Sequence, residues 1–96
     1  MWKASKFPET ALAAIRAALE GSGRAIDEEY IEGDRENYHI VHVANGQPFD
    51  IYVYDDGAGI GSGDEEWIPY EAASYRTQDE LIAALSAEVR ERAGDQ

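Results

Sequence analysis

The chain of 96 residues contains no cysteine, and it has only eight lysines and arginines against twenty aspartates and glutamates. Without cysteine, neither a disulfide framework nor a thiolate zinc site can form. No apolar run approaches the ~18 residues that a membrane span needs, and the polar start of the chain predicts no signal peptide. We therefore expect one soluble, cytoplasmic domain, since single domains usually contain ~100–150 residues.

Apolar residues at helical spacing predict one helix near each end of the chain. The first helix is expected over residues 8–20, because Pro8 suits a first helical position and glycines follow the stretch. The second is expected over residues 78–93, where Thr77 and Glu80 form a capping box. Each helix should bury one apolar stripe.

Between the helices, alternating apolar and polar residues predict strands over 25–32, 37–44 and 48–55. A fourth, shorter strand is possible over 68–75, and Pro69 favours an edge position for it because proline cannot donate a ladder hydrogen bond. The predicted fold is α+β in the order α-β-β-β-(β)-α. Its antiparallel sheet should have three to four strands with both helices on one face.

The Asn45-Gly46 pair between the second and third strands is a strong hairpin signal. A two-residue turn would pair Ile40 with Ile51, whereas a bulged loop would pair Val41 with Ile51, and both registers stay open. Alternation in the third strand predicts which side chains enter the core. Phe49, Ile51 and Val53 should face the core, and Asp50, Tyr52 and Tyr54 should face away from it.

The negative charge is concentrated in the middle of the chain. Residues 27–71 contain thirteen acids and one base, Arg35, whereas the rest of the chain contains seven of each. The whole net charge of −12 therefore falls in this segment. General solubility or adaptation to high salt is the alternative explanation, but both would acidify the helices too, and crowded carboxylates cost stability through self-repulsion. The asymmetry favours a surface that binds a basic partner.

Tyrosines accompany these acids, and tyrosine is enriched at the centres of protein interfaces. Two of them should lie on the outer side of the sheet. The predicted partner-binding residues are Asp27, Glu28, Glu29, Glu32, Asp34, Glu36, Asp50, Tyr52, Tyr54, Asp55, Asp56, Asp64, Glu65 and Glu66.

A glycine-rich run over residues 57–63 invites comparison with phosphate-binding loops. It matches neither GxGxxG nor GxxxxGK[ST], and the acids beside it would repel phosphate. We therefore predict a flexible loop over residues 55–66. Calcium is the one ligand that its acids favour, although the EF-hand spacing is absent.

His39 and His42 are three residues apart in a predicted strand, so they should lie on opposite faces and cannot bind one metal together. Neither has an identifiable nucleophile or carboxylate pair beside it. We expect no cofactor, no metal and no enzymatic activity.

The order of elements is shared with double-stranded-RNA-binding domains, but those begin their second helix with lysines, where this chain has Thr77-Gln78-Asp79-Glu80. In length, element order, acidity and lack of a catalytic set, the chain resembles small acidic phage proteins of the anti-CRISPR, DNA-mimic type. This resemblance implies an inhibitor that occupies a basic, nucleic-acid-binding groove of another protein and does not itself bind nucleic acid. The alternatives are an immunity protein or antitoxin that neutralises a basic nuclease, and a small metal-binding or regulatory domain using the 55–66 loop.

Overall fold

The computed structural model describes residues 6–34, 36–62 and 67–94, and in chain order its two α-helices stand before and after five strands. The elements are α1 (Phe7–Leu19), β1 (Ala25–Glu32), β2 (Asn37–Ala44), β3 (Phe49–Val53), β4 (Gly57–Gly61), β5 (Ile68–Glu71) and α2 (Gln78–Gly94). A short 3-10 helix, Ala72–Ser74, follows β5. Neither α1 nor α2 is long and apolar enough to cross a membrane.

The strands lie side by side in sequence order, and each is antiparallel to the next. The predicted α+β fold is confirmed, with five strands instead of three or four. The prediction of a continuous loop over residues 55–66 is wrong, because Gly57–Gly61 is strand β4. Ala58 and Ile60 alternate with the glycines and bury their side chains in the core. This burial stabilises a strand despite the many glycines.

The third and fifth strands are shorter than their predictions of 48–55 and 68–75. The edge position predicted from Pro69 is confirmed, because β5 is the last strand of the sheet. In the β2–β3 hairpin Val41 pairs with Ile51, so the register of the bulged loop is the correct one. Asn45 adopts a left-handed conformation with φ of 61°, and its side-chain amide donates to the Gly23 carbonyl at 2.7 Å.

The core lies between the helices and one face of the sheet. Its fully buried side chains come from both helices and from β2, β3 and β4, and the largest are Phe7, Ile15, Val41, Val43, Ile51, Val53, Ile60, Leu81, Leu85 and Val89. The core face predicted for the third strand is therefore confirmed.

The opposite face of the sheet, which we call the outer face, lies on the side away from both helices. Alternation from the buried positions assigns its strand residues. They are Ala25, Asp27, Glu29, Ile31, Tyr38, Ile40, His42, Ala44, Asp50, Tyr52, Gly57, Gly59, Gly61, Pro69 and Glu71.

Arg24 is buried, with 8% of its surface exposed, although it is charged. Its guanidinium donates to the carbonyls of Ala93 and Arg92 at the end of α2, at 3.1 and 2.9 Å, and to the Gln47 carbonyl at 2.8 Å. The last carbonyls of a helix have no partner within the helix, so Arg24 supplies their donors. It thereby joins α2 to the β2–β3 loop.

Candidate functional site

On the outer face, the register of β3, β4 and β5 places residues of these three strands side by side. Tyr52 lies opposite Gly59, which in turn lies opposite Pro69. Gly57 pairs with Glu71 in the same way. Because the β4 residues of this face are all glycines, no side chain rises from β4 here, whereas side chains rise from β3 and β5. The result is a trough along β4.

This trough forms a groove of about 560 Å³, which we call the aromatic groove. Tyr52, Tyr54, Trp67 and Pro69 line it. The Trp67 ring reaches over β4, because its atoms lie 3.1–3.5 Å from where a Cβ on Gly61 or Gly59 would stand. Gly57 and Gly59 contribute the floor. The remaining lining residues are Glu36, Asp56, Ala58, Glu71, Ala72 and Ala73.

The aromatic side chains of the groove contact one another. The Trp67 ring meets Tyr52 edge to face, with centroids 4.8 Å apart and planes at 87°. The Tyr52 and Tyr54 rings are within 19° of parallel, and the Tyr38 centroid lies 5.4 Å from that of Tyr54. Such pairs contribute ~0.5–1.5 kcal/mol beyond their burial. Trp67 nevertheless keeps 44% of its surface exposed, so a ligand can reach it.

Carboxylates gather at one end of the aromatic groove. Glu36 and Asp56 belong both to the groove and to a neighbouring depression that includes Asp34 and Asp55. Burial of the Tyr54 phenol raises its pKa, and the nearby negative charge of Glu36 raises it further. Glu71 lies at the same end, because it pairs with Gly57 at the start of β4. The turn after β1, the turn after β3 and Glu71 therefore form one acidic end of the sheet, which is also the acidic end of the aromatic groove.

The glycines of β4 differ in how much space they leave. A Cβ on Gly57 would lie 2.5 Å from the Tyr70 carbonyl oxygen, whereas a Cβ on Gly59 would meet Trp67 at an ordinary 3.5 Å. We expect Gly57→Ala to cost ~1–3 kcal/mol, because the backbone of β5 must shift. Gly59→Ala should leave stability unchanged or raise it by ~0.5 kcal/mol, by restricting the unfolded chain. Urea unfolding of both variants measures the difference, and equal losses would contradict the proposed close packing of β4 and β5.

His42 links two carboxylates on the outer face. Its Nδ1 lies 2.8 Å from Asp50 Oδ1 and its Nε2 lies 3.1 Å from Glu29 Oε2. The hydrogen bond to Glu29, and next that to Asp50, raise the pKa of His42. The predicted opposite placement of the two histidines is confirmed, because His39 instead packs against the Tyr30 ring at 4.8 Å.

The raised pKa of His42 makes its contribution to stability depend on pH. The contribution should be complete below the unfolded value of ~6.5 and lost as pH rises through the folded value. We expect His42→Gln to be less stable than the unsubstituted chain at pH 5.5, with a smaller difference at pH 8.5. The effect should stay below ~1 kcal/mol, because all three side chains are more than a third exposed. Denaturant titrations at the two pH values measure it; a constant difference would mean that the ion pairs do not form in solution.

The structure divides the predicted partner-binding residues into groups. Five lie on or beside the outer face: Asp27, Glu29, Asp50, Tyr52 and Tyr54. Four gather at the acidic end of the sheet: Asp34, Glu36, Asp55 and Asp56. Asp64, Glu65 and Glu66 lie outside the described residues.

Glu28 and Glu32 are not brought together with the others, because alternation along β1 directs them to the opposite side of the sheet. There Glu28 accepts two hydrogen bonds from the Arg16 guanidinium of α1, at 2.6 and 2.7 Å. This pairing lowers the pKa of Glu28. It also partly neutralises the carboxylate.

Sequence reasoning missed Trp67, Glu71 and the glycine floor of the groove. The available signal was the alternation of Ala58 and Ile60 with glycines, which is the period of a strand. A strand there would have predicted a trough on its glycine side.

Among residues 6–34, 36–62 and 67–94, no three histidine, aspartate or glutamate side chains are grouped so that they could hold a metal ion. Strand β4 occupies the middle of the segment that was predicted as a loop, after Asp55 and Asp56.

Comparisons of the chain with protein-family models, with curated proteins and with solved structures find no match. Function is therefore inferred from the chemistry of the outer face.

Proposed function

We propose that the chain is an acidic inhibitor that binds a basic, nucleic-acid-binding groove of another protein through the outer face of its sheet. The observation that supports this is the composition of that face. Its strand positions include Asp27, Glu29, Asp50 and Glu71 but no lysine or arginine. The acidic end of the sheet adds further carboxylates beside the aromatic groove.

A groove that binds nucleic acid holds phosphates with lysine and arginine side chains. Carboxylates accept the same charge-assisted hydrogen bonds, and arginine binds them with a bidentate fork. The outer face can therefore replace a phosphate backbone in such a groove. Half-buried tyrosines and the exposed Trp67 add contact area of the kind that dominates binding energy in protein interfaces.

The helices do not share the excess negative charge of the outer face. Arg16 pairs with Glu28, and Arg92 pairs with Glu88 one turn earlier in α2. The negative field should therefore be strongest on the outer side of the sheet. An immunity protein or antitoxin that neutralises a basic nuclease would use the same face, and the identity of the partner distinguishes it from an anti-CRISPR-like inhibitor.

Affinity capture from an extract of the native host tests the proposal. The bait is the tagged chain, and the matched bait carries Glu36→Gln, Asp56→Asn and Glu71→Gln, which remove three charges from the end of the aromatic groove. We expect the unsubstituted bait to retain a basic nucleic-acid-binding protein that the matched bait retains poorly. Recovery of that protein by both baits in equal amounts would argue against a role for this end of the face.

A further inference from the structure

We propose that the aromatic groove is a binding site for an arginine side chain of the partner. This inference rests on the proposed function and assigns the group that the groove recognises. The groove combines three features in one place: half-buried tyrosine rings beside the exposed Trp67 ring, a floor without side chains, and carboxylates at one end.

The aromatic walls favour a flat cation. The faces of Trp and Tyr rings attract cations through their quadrupole, and Trp67 and Tyr52 present rings at nearly a right angle. Guanidinium is planar and weakly hydrated, so it stacks on aromatic faces at lower cost than the compact, strongly hydrated ammonium of lysine. The walls therefore select arginine over lysine.

The glycine floor allows close approach. Gly59 has no side chain and its Cβ position is bounded by Trp67 at 3.5 Å and by the Ile68 carbonyl at 3.9 Å. Because the Tyr52 and Trp67 rings already contact each other, a guanidinium would stack beside this pair and not between its rings, over the floor at Gly57. At the acidic end, Glu36 or Glu71 can accept its paired N–H groups in the fork geometry that arginine presents.

Two peptides of equal charge separate arginine recognition from general attraction: capped hexa-arginine and capped hexalysine. Both should be attracted by the negative field. We expect hexa-arginine to bind about tenfold more tightly at the same salt concentration, an effect between those of an exposed and of a desolvated cation–π contact. Isothermal titration calorimetry measures both dissociation constants.

Trp67→Ala should reduce the preference for arginine severalfold, because it removes the aromatic contact and keeps the carboxylates. Tyr30→Ala is the matched control, because Tyr30 is an exposed aromatic residue, 51% accessible, on the helix side of the sheet. It should keep the full preference. Gly59→Ala provides a second test with the fold retained, as a melting curve verifies, because its methyl group contacts the Trp67 ring from the groove floor. We expect it to reduce the preference severalfold.

Equal affinity of the unsubstituted chain for both peptides, or a preference that neither Trp67→Ala nor Gly59→Ala reduces, would overturn the assignment. Failure of the arginine-site assignment can be distinguished from failure of the proposed function. If only the groove assignment fails, the captured partner still binds the Gly59→Ala chain normally. If only the proposed function fails, the arginine preference remains while no basic partner is captured.

Discussion

Replacing Arg24 by methionine should lower the free energy of unfolding by about 3 kcal/mol. Methionine keeps an apolar stem beside Phe49, over whose ring the guanidinium lies at 5.9 Å, but it removes the donors for three carbonyls. Each buried acceptor left unsatisfied costs ~1–3 kcal/mol. Water has partial access to the end of α2 and to the β2–β3 loop, so we take the lower value of ~1 kcal/mol for each of the three carbonyls. Denaturant unfolding monitored by circular dichroism measures the loss.

Arg16→Met is the matched control, because it removes the same side chain from an exposed position. The side chain of Arg16 is 54% accessible and pairs with Glu28, and exposed ion pairs contribute below ~1 kcal/mol. If both variants lost the same stability, Arg24 would not be the link between α2 and the β2–β3 loop that its hydrogen bonds indicate.

Neutralising the acidic end of the aromatic groove should slow association with the captured partner by about tenfold at low salt. The variant is Glu36→Gln, Asp56→Asn and Glu71→Gln. Long-range attraction steers a basic partner towards these carboxylates, so their loss acts mainly on the association rate and weakens its salt dependence. Stopped-flow or surface-based kinetics at several salt concentrations measure both quantities.

The control for this variant removes the same charge from elsewhere in the chain. Glu20→Gln, Asp79→Asn and Glu91→Gln change two glutamates and one aspartate at exposed positions in or beside the helices. The net charge of the two variants is identical. A similar slowing in both would show that total charge, and not its placement on the outer face, governs association.

Local signals in the sequence predicted much of this fold. One half of the capping box predicted before α2 forms, because Thr77 Oγ1 accepts from the Glu80 backbone N–H at 3.1 Å. The Glu80 carboxylate accepts from the Arg76 backbone N–H at 3.2 Å, one residue before the expected donor. Strict alternation in β3 identified its core face, because one side of that strand is fully buried. Both features depend on residues a few positions apart, where periodicity and side-chain chemistry act directly.

Features that depend on distant contacts could not be predicted in this way. Arg24 contacts residues about seventy positions later in the chain, and no local pattern indicates that pairing. The two faces of β1 were also unresolved, because Ile26 and Tyr30 stay largely exposed on its helix side and give little apolar signal. The acids of β1 were therefore predicted as one set, although the side chains of Glu28 and Glu32 lie on one face of the sheet and those of Asp27 and Glu29 on the other.

Competition for the captured partner tests most directly whether the outer face replaces nucleic acid. The measurement is the fluorescence anisotropy of a labelled nucleic acid bound to that partner, as this chain is added. We predict that the chain displaces the nucleic acid at equilibrium. The variant of Glu36, Asp56 and Glu71 should displace it weakly, and the control variant of Glu20, Asp79 and Glu91 should displace it fully. Alone, the chain should not bind the labelled nucleic acid, because like charges repel. A ternary complex that retains the nucleic acid, or equal displacement by both variants, would contradict this account.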